Sequence, residues 1–322
     1  MKKLLAAVLT TLGLAIAMPA QAGPYPDKPV RLIVPFAAGG PSDITARLLG
    51  QGIQEYLGGQ PLVIENKPGG GAIVATSALL SAEPDGYTIM MASNIMVTSK
   101  WLYDTLPYDP MKDLRAISGV SISPVVVLVP ASSPIKNLAD LLRAAREKPG
   151  KMNYGSAGLG TIPQLATEFF LQKTGIQMTH IPYRGSGQAL PAVVAGQVDL
   201  YFDVAISAQG LVQQGQVRAI GVVGKERLAQ FPNVPTLAEQ GLSDFDVASW
   251  FGLVGRAAVP DDVVKTLNVA VNKVLATPQF KEKIATLGGL PFGGSPEDFR
   301  KRYTEEYEMW GRVIPGTGLK LN

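Results

Sequence analysis

The chain has 322 residues, with 29 lysines and arginines against 26 aspartates and glutamates, 46% hydrophobic and 17% charged residues, one histidine and no cysteine. Such a balance describes an ordered globular chain and excludes disulfides, thiol catalysis and thiolate metal sites. A formal charge of only +3 makes no electrostatic case for nucleic acid or an anionic membrane surface, and a lone His180 excludes a histidine cluster for zinc.

Lys2-Lys3, an apolar run over residues 4–18 and the small-residue segment Ala20-Gln21-Ala22 follow the order of a secretory signal peptide, with cleavage expected after Ala22. Cleavage leaves 300 residues with 27 basic against 26 acidic side chains, a net charge of +1. Export to the periplasm follows from this reading, and a cysteine-free chain of this size suits that compartment. At roughly 100–200 residues per domain, two domains are expected. No later run reaches the ~18 apolar residues of a membrane span, because Pro124 and Pro130 fence the apolar stretch 125–129.

The first strand is expected over Val30–Val34, followed by the break Gly39-Gly40-Pro41 and a helix to about residue 57 that Ser42 or Asp43 can cap. Such a turn offers backbone N–H groups at the positive end of a helix dipole, a place for an anion; an ordinary strand-to-helix connection is the competing reading. A second strand at 62–65 leads through Asn66-Lys-Pro-Gly-Gly-Gly71 into an alanine-rich helix over 72–82. Pro84-Asp85-Gly86 then turns into a third strand over 87–92 that ends at Ser93-Asn94. This alternation predicts βαβ units with a parallel sheet, and the turns at 35–43, 66–71 and 93–94 all fall on the carboxyl edge where ligands of such sheets sit.

Strands at 114–120 and 125–129 come next, then a helix over 138–148. Asn153-Tyr-Gly-Ser-Ala-Gly-Leu-Gly-Thr161 repeats the opening device: a short strand, a glycine turn and a helix over 163–174. An alternating strand around 178–183 precedes a helix over 189–195, and further strands fall at 198–203 and 217–223; a short helix starts at 236–240, before the stretch 245–254 that carries Trp250 and Gly252. Helices over 261–276, 279–287 and 296–313 close the chain with no strand between them. They must pack on a sheet already built, so the first domain is discontinuous. The chain leaves it near 121–124 and returns near 246–249, and two crossings permit a hinge.

Chemical candidates are few. Gly155-x-x-Gly158-x-Gly160 has the wrong order for a dinucleotide fingerprint, and no phosphate-loop motif occurs. His180 can in principle activate Ser156 or Ser186, yet no G-x-S-x-G elbow is present and the histidine lies in an alternating strand. Asp43 reads as a helix cap, and Asp199 as a turn residue. Asp203, ending an apolar strand, needs hydrogen-bonding partners from a ligand or from the hinge backbone. Arg184 is a candidate carboxylate binder or a surface ion pair, and Trp250 a pocket wall or core filler.

Taken together, Tyr25-Pro26, Lys28-Pro29-Val30-Arg31, Val34-Pro35-Phe36 with Gly39-Gly40 and Asp43, Glu65-Asn66-Lys67-Pro68-Gly69-Gly70, and Pro84-Asp85-Gly86-Tyr87 form an ordered set. Tyr154-Gly155-Ser156 with Gly158 and Gly160, Ile181-Pro182-Tyr183-Arg184-Gly185, Gly196 with Val198-Asp199, Phe202-Asp203, and Pro232-Val234-Pro235-Thr236 extend it. Over essentially the whole mature chain this resembles the substrate-binding receptors of tripartite tricarboxylate transporters, the Bug receptors. The resemblance implies an α/β, two-lobed periplasmic binding protein, a Venus flytrap in which each lobe is a mainly parallel sheet flanked by helices. It implies capture of a small organic acid whose carboxylate is held mainly by backbone groups and ordered water. The implied cleft is lined by Phe36, Ala38, Gly39, Asp43, Ser156, Gly158, Thr161 and Asp203, with Ala92, Ser93, Asn94 and Trp250 nearby. The chain departs from the family pattern at Ala37-Ala38, where proline is common, at Thr161, where serine is usual, and at Gln164, where histidine is frequent.

The expected organisation is a signal peptide at 1–22, a discontinuous lobe at 23–122 plus 247–322, and a second lobe at 123–246. The expected function is a non-enzymatic, monomeric receptor without metal or cofactor that delivers its carboxylate to the permease subunits of a tripartite transporter. A periplasmic Ser/His hydrolase and a ligand-sensing adaptor without transport are the alternatives.

Overall fold

The computed structural model describes residues 25–243, 245 and 247–321; the expected signal peptide lies outside the described residues. Strand β1 (Val30–Val34) is apolar apart from Arg31 and is buried on both faces, as befits an interior parallel strand. Helix α1 (Pro41–Ile53) connects it to β2 (Leu62–Asn66), and α2 (Ile73–Leu80) connects β2 to β3 (Thr88–Ser93). Both neighbours pair with β1 in parallel. Helix α3 (Ile95–Leu102) follows β3 directly. The sequence offers no glycine or proline between the two, and α3 is buried on nearly every side, so no periodic stripe announces it.

Strand β4 (Leu114–Pro130) is the backbone of the molecule. Residues 114–124 pair antiparallel with β9 (Ala248–Arg256), and residues 125–130 pair antiparallel with β7 (Leu200–Val204) and β8 (Val217–Val222). The two strands expected at 114–120 and 125–129 are therefore one. Pro124, which has no N–H to donate, sits where the strand changes partners. Beyond β4 the chain runs through α4 (Leu138–Glu147), β5 (Asn153–Ser156), α5 (Ile162–Thr174), β6 (Thr179–Pro182) and α6 (Ser186–Val194) into β7. Helix α7 (Ala205–Gln213) then leads to β8; like α3 it starts straight from a strand and leaves no break to read.

The strand order is β2-β1-β3-β9-β4-β7-β5-β6. Two parallel groups, β2-β1-β3 and β7-β5-β6, lie at the ends of a curled mixed sheet whose centre, β9 and β4, runs antiparallel. The antiparallel pair is where distant segments of the chain cross between the two halves. Helices α8 (Asp261–Ala276), α9 (Pro278–Thr286) and α10 (Pro296–Thr317) pack back on this sheet, with a two-residue strand β10 (Leu290–Pro291) on β4 that the sequence reading did not contain. The short helix expected from 236 is a single turn. Thr236 and Glu239 exchange capping bonds of 3.0 and 2.7 Å, but Gly241, at φ +93°, ends it.

The core over the β9 side is aromatic. Phe299 of α10 meets Trp250 edge-on at 5.4 Å and Tyr303 at 6.3 Å, all three buried. Its ring fills the space above Gly252, where an added Cβ lies 2.2 Å from Cζ of Phe299. Gly252→Ala is therefore expected to cost roughly 1–3 kcal/mol by overpacking, with Phe299→Leu in the same chain recovering part of the loss. Urea unfolding midpoints measure this; an unchanged midpoint for Gly252→Ala means that Phe299 moves aside freely.

Candidate functional site

Five helices begin at the carboxyl ends of parallel or central strands and point at one place. Helix α1 follows β1, α3 follows β3, α5 follows β5, α6 follows β6 and α7 follows β7. Their first residues enclose a narrow cavity between the two halves. From one half come Phe36, the α1 start at Gly40-Pro41-Ser42, and Ser93-Asn94-Ile95 at the α3 start. The other half supplies Ala157, the α5 start at Thr161-Ile162-Pro163, Gly185-Ser186 at the α6 start and Asp203-Val204 at the α7 start. Ser249 and Phe251 of β9 complete the wall.

Each helix start carries N–H groups without intrahelical partners and about half a positive charge. In none of these five does the N-cap residue's own side chain cap the helix, although Ser123 Oγ accepts from Ile206 N–H at the α7 start at 3.3 Å. Among the described residues, the helices capped by their own N-cap side chain are α4, α9 and α10, and none of them begins at the cavity. Pro41 and Pro163 occupy first-turn positions where a missing N–H costs nothing. The halves touch at the mouth: a Cβ added to Gly187 would lie 3.0 Å from the carbonyl oxygen of Ala38.

Among the described residues, Asp203 is the one ionisable side chain that lines this cavity. It is completely buried and accepts hydrogen bonds from Ser186 Oγ at 2.8 Å and Ser207 Oγ at 2.5 Å; Tyr201 Oη lies 2.9 Å from the same Ser186 hydroxyl. Burial pushes its pKa up to about 6, against the lowering effect of the serine hydroxyls.

Asp43 does not line the cavity. Its Oδ2 accepts from Gly39 N–H at 2.9 Å and Arg47 Nε at 2.9 Å, and its Oδ1 from Asn66 Nδ2 at 3.1 Å and Arg47 Nη2 at 2.9 Å. Asn66 also donates to the carbonyl of Phe36 at 3.0 Å. The cap of α1 is Gly40, not Ser42 or Asp43; the carboxylate reaches back to fasten the turn, and the Gly39 N–H (φ +80°) is consumed by it. Burial works to raise the Asp43 pKa, but the bonds from Arg47, Gly39 and Asn66 outweigh it and hold the carboxyl below its usual range.

Ser156 and Gly158 also lie behind the wall. Ser156 Oγ sits 2.7 Å from His180 Nε2 and 3.1 Å from Gly158 N–H. Thr161 Oγ1 donates to the Gly158 carbonyl at 2.6 Å. Gln164 Oε1 accepts from Gly160 N–H at 2.6 Å, which turns the Gln164 amide nitrogen toward His180 Nδ1 at 3.3 Å. His180 stacks on Tyr154 at 4.8 Å, and burial lowers its pKa to about 4. An amide donating to Nδ1 leaves the imidazole proton on Nε2, where it is donated to Ser156. The glycine turn is thus a closed hydrogen-bonded unit.

Of the remaining expected residues, Phe36, Ser93, Asn94, Thr161 and Asp203 line the cavity, whereas Ala38, Gly39, Ala92 and Trp250 do not. Ala92 and Trp250 are one residue off: strand alternation turns Ser249 and Phe251 to the cavity and Trp250 to Phe299. The Asn94 side chain points away, donating to Glu306 Oε2 at 2.7 Å and accepting from Trp250 N–H at 3.1 Å. Arg184 is exposed and off the cavity, and Asp199 accepts from Asn153 N–H at 2.8 Å. Ser42, Ile95, Ile162, Ser186, Val204 and Phe251 were missed. The signal available for most of them was a helix start after a parallel strand, legible at Ser42 and Ile162 but hidden at α3 and α7.

The chain matches the model of the "Tripartite tricarboxylate transporter family receptor" over residues 45–319. A UPF0065 protein of Bordetella pertussis is 36% identical over 318 residues, covering 98% of each chain. Among solved structures, an R. palustris protein with adipate superposes with a TM-score of 0.89 at 32% identity, covering 92% of this chain and 99% of the other. MatC from Rhodopseudomonas palustris with bound malate gives 0.85 at 30% identity, covering 90% and 100%.

Because Asp43 fastens the first turn, Asp43→Ala is expected to cost about 1–3 kcal/mol at pH 7 by leaving Gly39 N–H and Asn66 unpaired. A carboxyl whose folded pKa is depressed contributes stability above its unfolded value that is lost as the pH falls through the folded one. The difference between wild type and variant in urea unfolding should therefore shrink below about pH 4. A difference that stays constant with pH contradicts the ionic fastening.

Proposed function

The chain belongs to the tripartite tricarboxylate transporter receptor family, whose members are periplasmic solute-binding proteins, and from that premise we propose that it captures a small organic carboxylate in the cavity and delivers it to a membrane permease made of other chains. The observation that carries this reading is the convergence of five helix starts, none capped by its own N-cap side chain, on a cavity lined, among the described residues, by no lysine, arginine or histidine. Oriented N–H groups in a water-poor site favour an anion by roughly 0.3–2 kcal/mol per helix end and leave its outer shape free to vary. The two R. palustris structures hold adipate and malate, both small carboxylates, which supports the same ligand class here. In this reading residues 23–122 plus 247–322 and residues 123–246 are two lobes that close on the ligand. Phe36, Ser93, Thr161 and Asp203 contact it, Asp43, Ser156 and Gly158 act by holding the two glycine turns, and the receptor works as a monomer in the periplasm.

Calorimetry with adipate, malate and their diamides tests the reading. At least one dicarboxylate is expected to bind, and its diamide to bind about tenfold or more weakly, equivalent to ~1.4 kcal/mol. Equal affinity for acid and amide rejects carboxylate recognition. Unimpaired uptake of the bound acid after loss of the gene would favour a sensing adaptor over transport.

The 2.7 Å contact between His180 and Ser156 is the geometry that a hydrolase reading needs, but three features argue against it. Ser156 is fully buried, the group at Nδ1 is the Gln164 amide rather than a carboxylate, and the proton sits on the nitrogen that should act as base. No turnover of an ester or amide panel is expected; turnover that disappears in His180→Ala reverses this.

A further inference from the structure

Resting on the receptor reading above, we infer that Asp203 makes carboxylate capture proton-linked: one proton is taken from solvent as the ligand enters and is shared between the Asp203 carboxyl and a carboxylate of the ligand. Val204, the residue after Asp203, opens α7, and Ser186, whose hydroxyl donates to Asp203 at 2.8 Å, opens α6. A carboxylate drawn to either helix start is drawn to the Asp203 side chain, and the cavity is narrow enough to leave little room to keep the two apart. Two carboxylates sharing one enclosed site cannot both stay ionised without a cation between them.

No such cation faces Asp203. Helices α6 and α7 carry no titratable side chain, and neither does the 125–130 half of β4 against which β7 lies. On β7 itself the neighbour is Tyr201, which reaches the same Ser186 hydroxyl. Strand β5 brings Tyr154 and α5 brings Glu168, bonded to each other, and Lys173, which lies over the Phe169 ring. Across the cavity α1 carries Asp43 and Arg47, committed to one another. Among the described residues, no lysine, arginine or histidine is hydrogen-bonded or ion-paired to Asp203. The hydroxyls of Ser186 and Ser207, with Tyr201 and the Val204 N–H, favour the charged carboxylate, and a proton taken up on ligand entry displaces one of these donors. Its raised pKa of about 6 is in keeping with a group poised to accept one near neutrality.

The test is isothermal titration with whichever of adipate and malate binds, at pH 7 and 8, in two buffers of different ionisation enthalpy. The wild-type protein is expected to take up close to one proton per ligand, and Kd to weaken roughly tenfold from pH 7 to pH 8. Asp203→Asn should abolish the uptake and flatten the pH dependence. Ser186→Ala, which removes a hydroxyl that favours the charged carboxylate, should move the onset of weakening to higher pH, and it serves if the asparagine variant does not fold. Binding without proton uptake by the wild type, or uptake that persists in Asp203→Asn, overturns the proposal and leaves the receptor reading standing. Failure of both acids to bind removes both.

Discussion

In the proposed receptor reading, a carboxylate enclosed without a counter-ion is met by oriented dipoles, and the architecture fits that constraint. Dipoles of sufficient strength come from helix starts, and helix starts gather in one place only where several parallel strands end together. Here five do. Two parallel groups, β2-β1-β3 and β7-β5-β6, are set facing by the central antiparallel strands β4 and β9, so that the helices after β1 and β3 oppose those after β5, β6 and β7. Because β4 belongs to both halves, their relative placement is carried by one continuous strand that changes partners at Pro124.

Charged and titratable side chains near the site mostly serve the backbone rather than the cavity. Asp43 spends its carboxylate on Gly39, Arg47 and Asn66. His180 and Gln164 spend their bonds on Ser156 and Gly160. Each network fixes a glycine turn whose amide directions matter, and a fixed amide binds an anion without the cost of being ordered first. Asp203 is the exception, an acid placed among positive helix ends.

Much of the fold was legible. The βαβ pattern, the two glycine turns and the three C-terminal helices all have local signals: glycines at turns, period-two strands, amphipathic stripes and prolines at helix starts. Helices α3 and α7 were not legible, since each continues a buried strand without a glycine or proline to mark the break. The short helix expected from 236 failed for the opposite reason. Its capping signal was present, but Gly241 stopped the chain after one turn.

At the site, residue types and approximate positions were in the sequence, and directions were not. Local pattern sufficed to place glycine turns ahead of helices at the carboxyl edge of a parallel sheet, and composition left no cysteine, histidine cluster or nucleotide loop for other chemistry. That Asp43 and Ser156 turn away from the cavity while Ser186 and Phe251 face it is visible only in the folded chain. The reason is physical: which way a side chain points in a strand changes with every residue, and which helix starts meet depends on pairings between segments more than a hundred residues apart, neither of which a local pattern encodes.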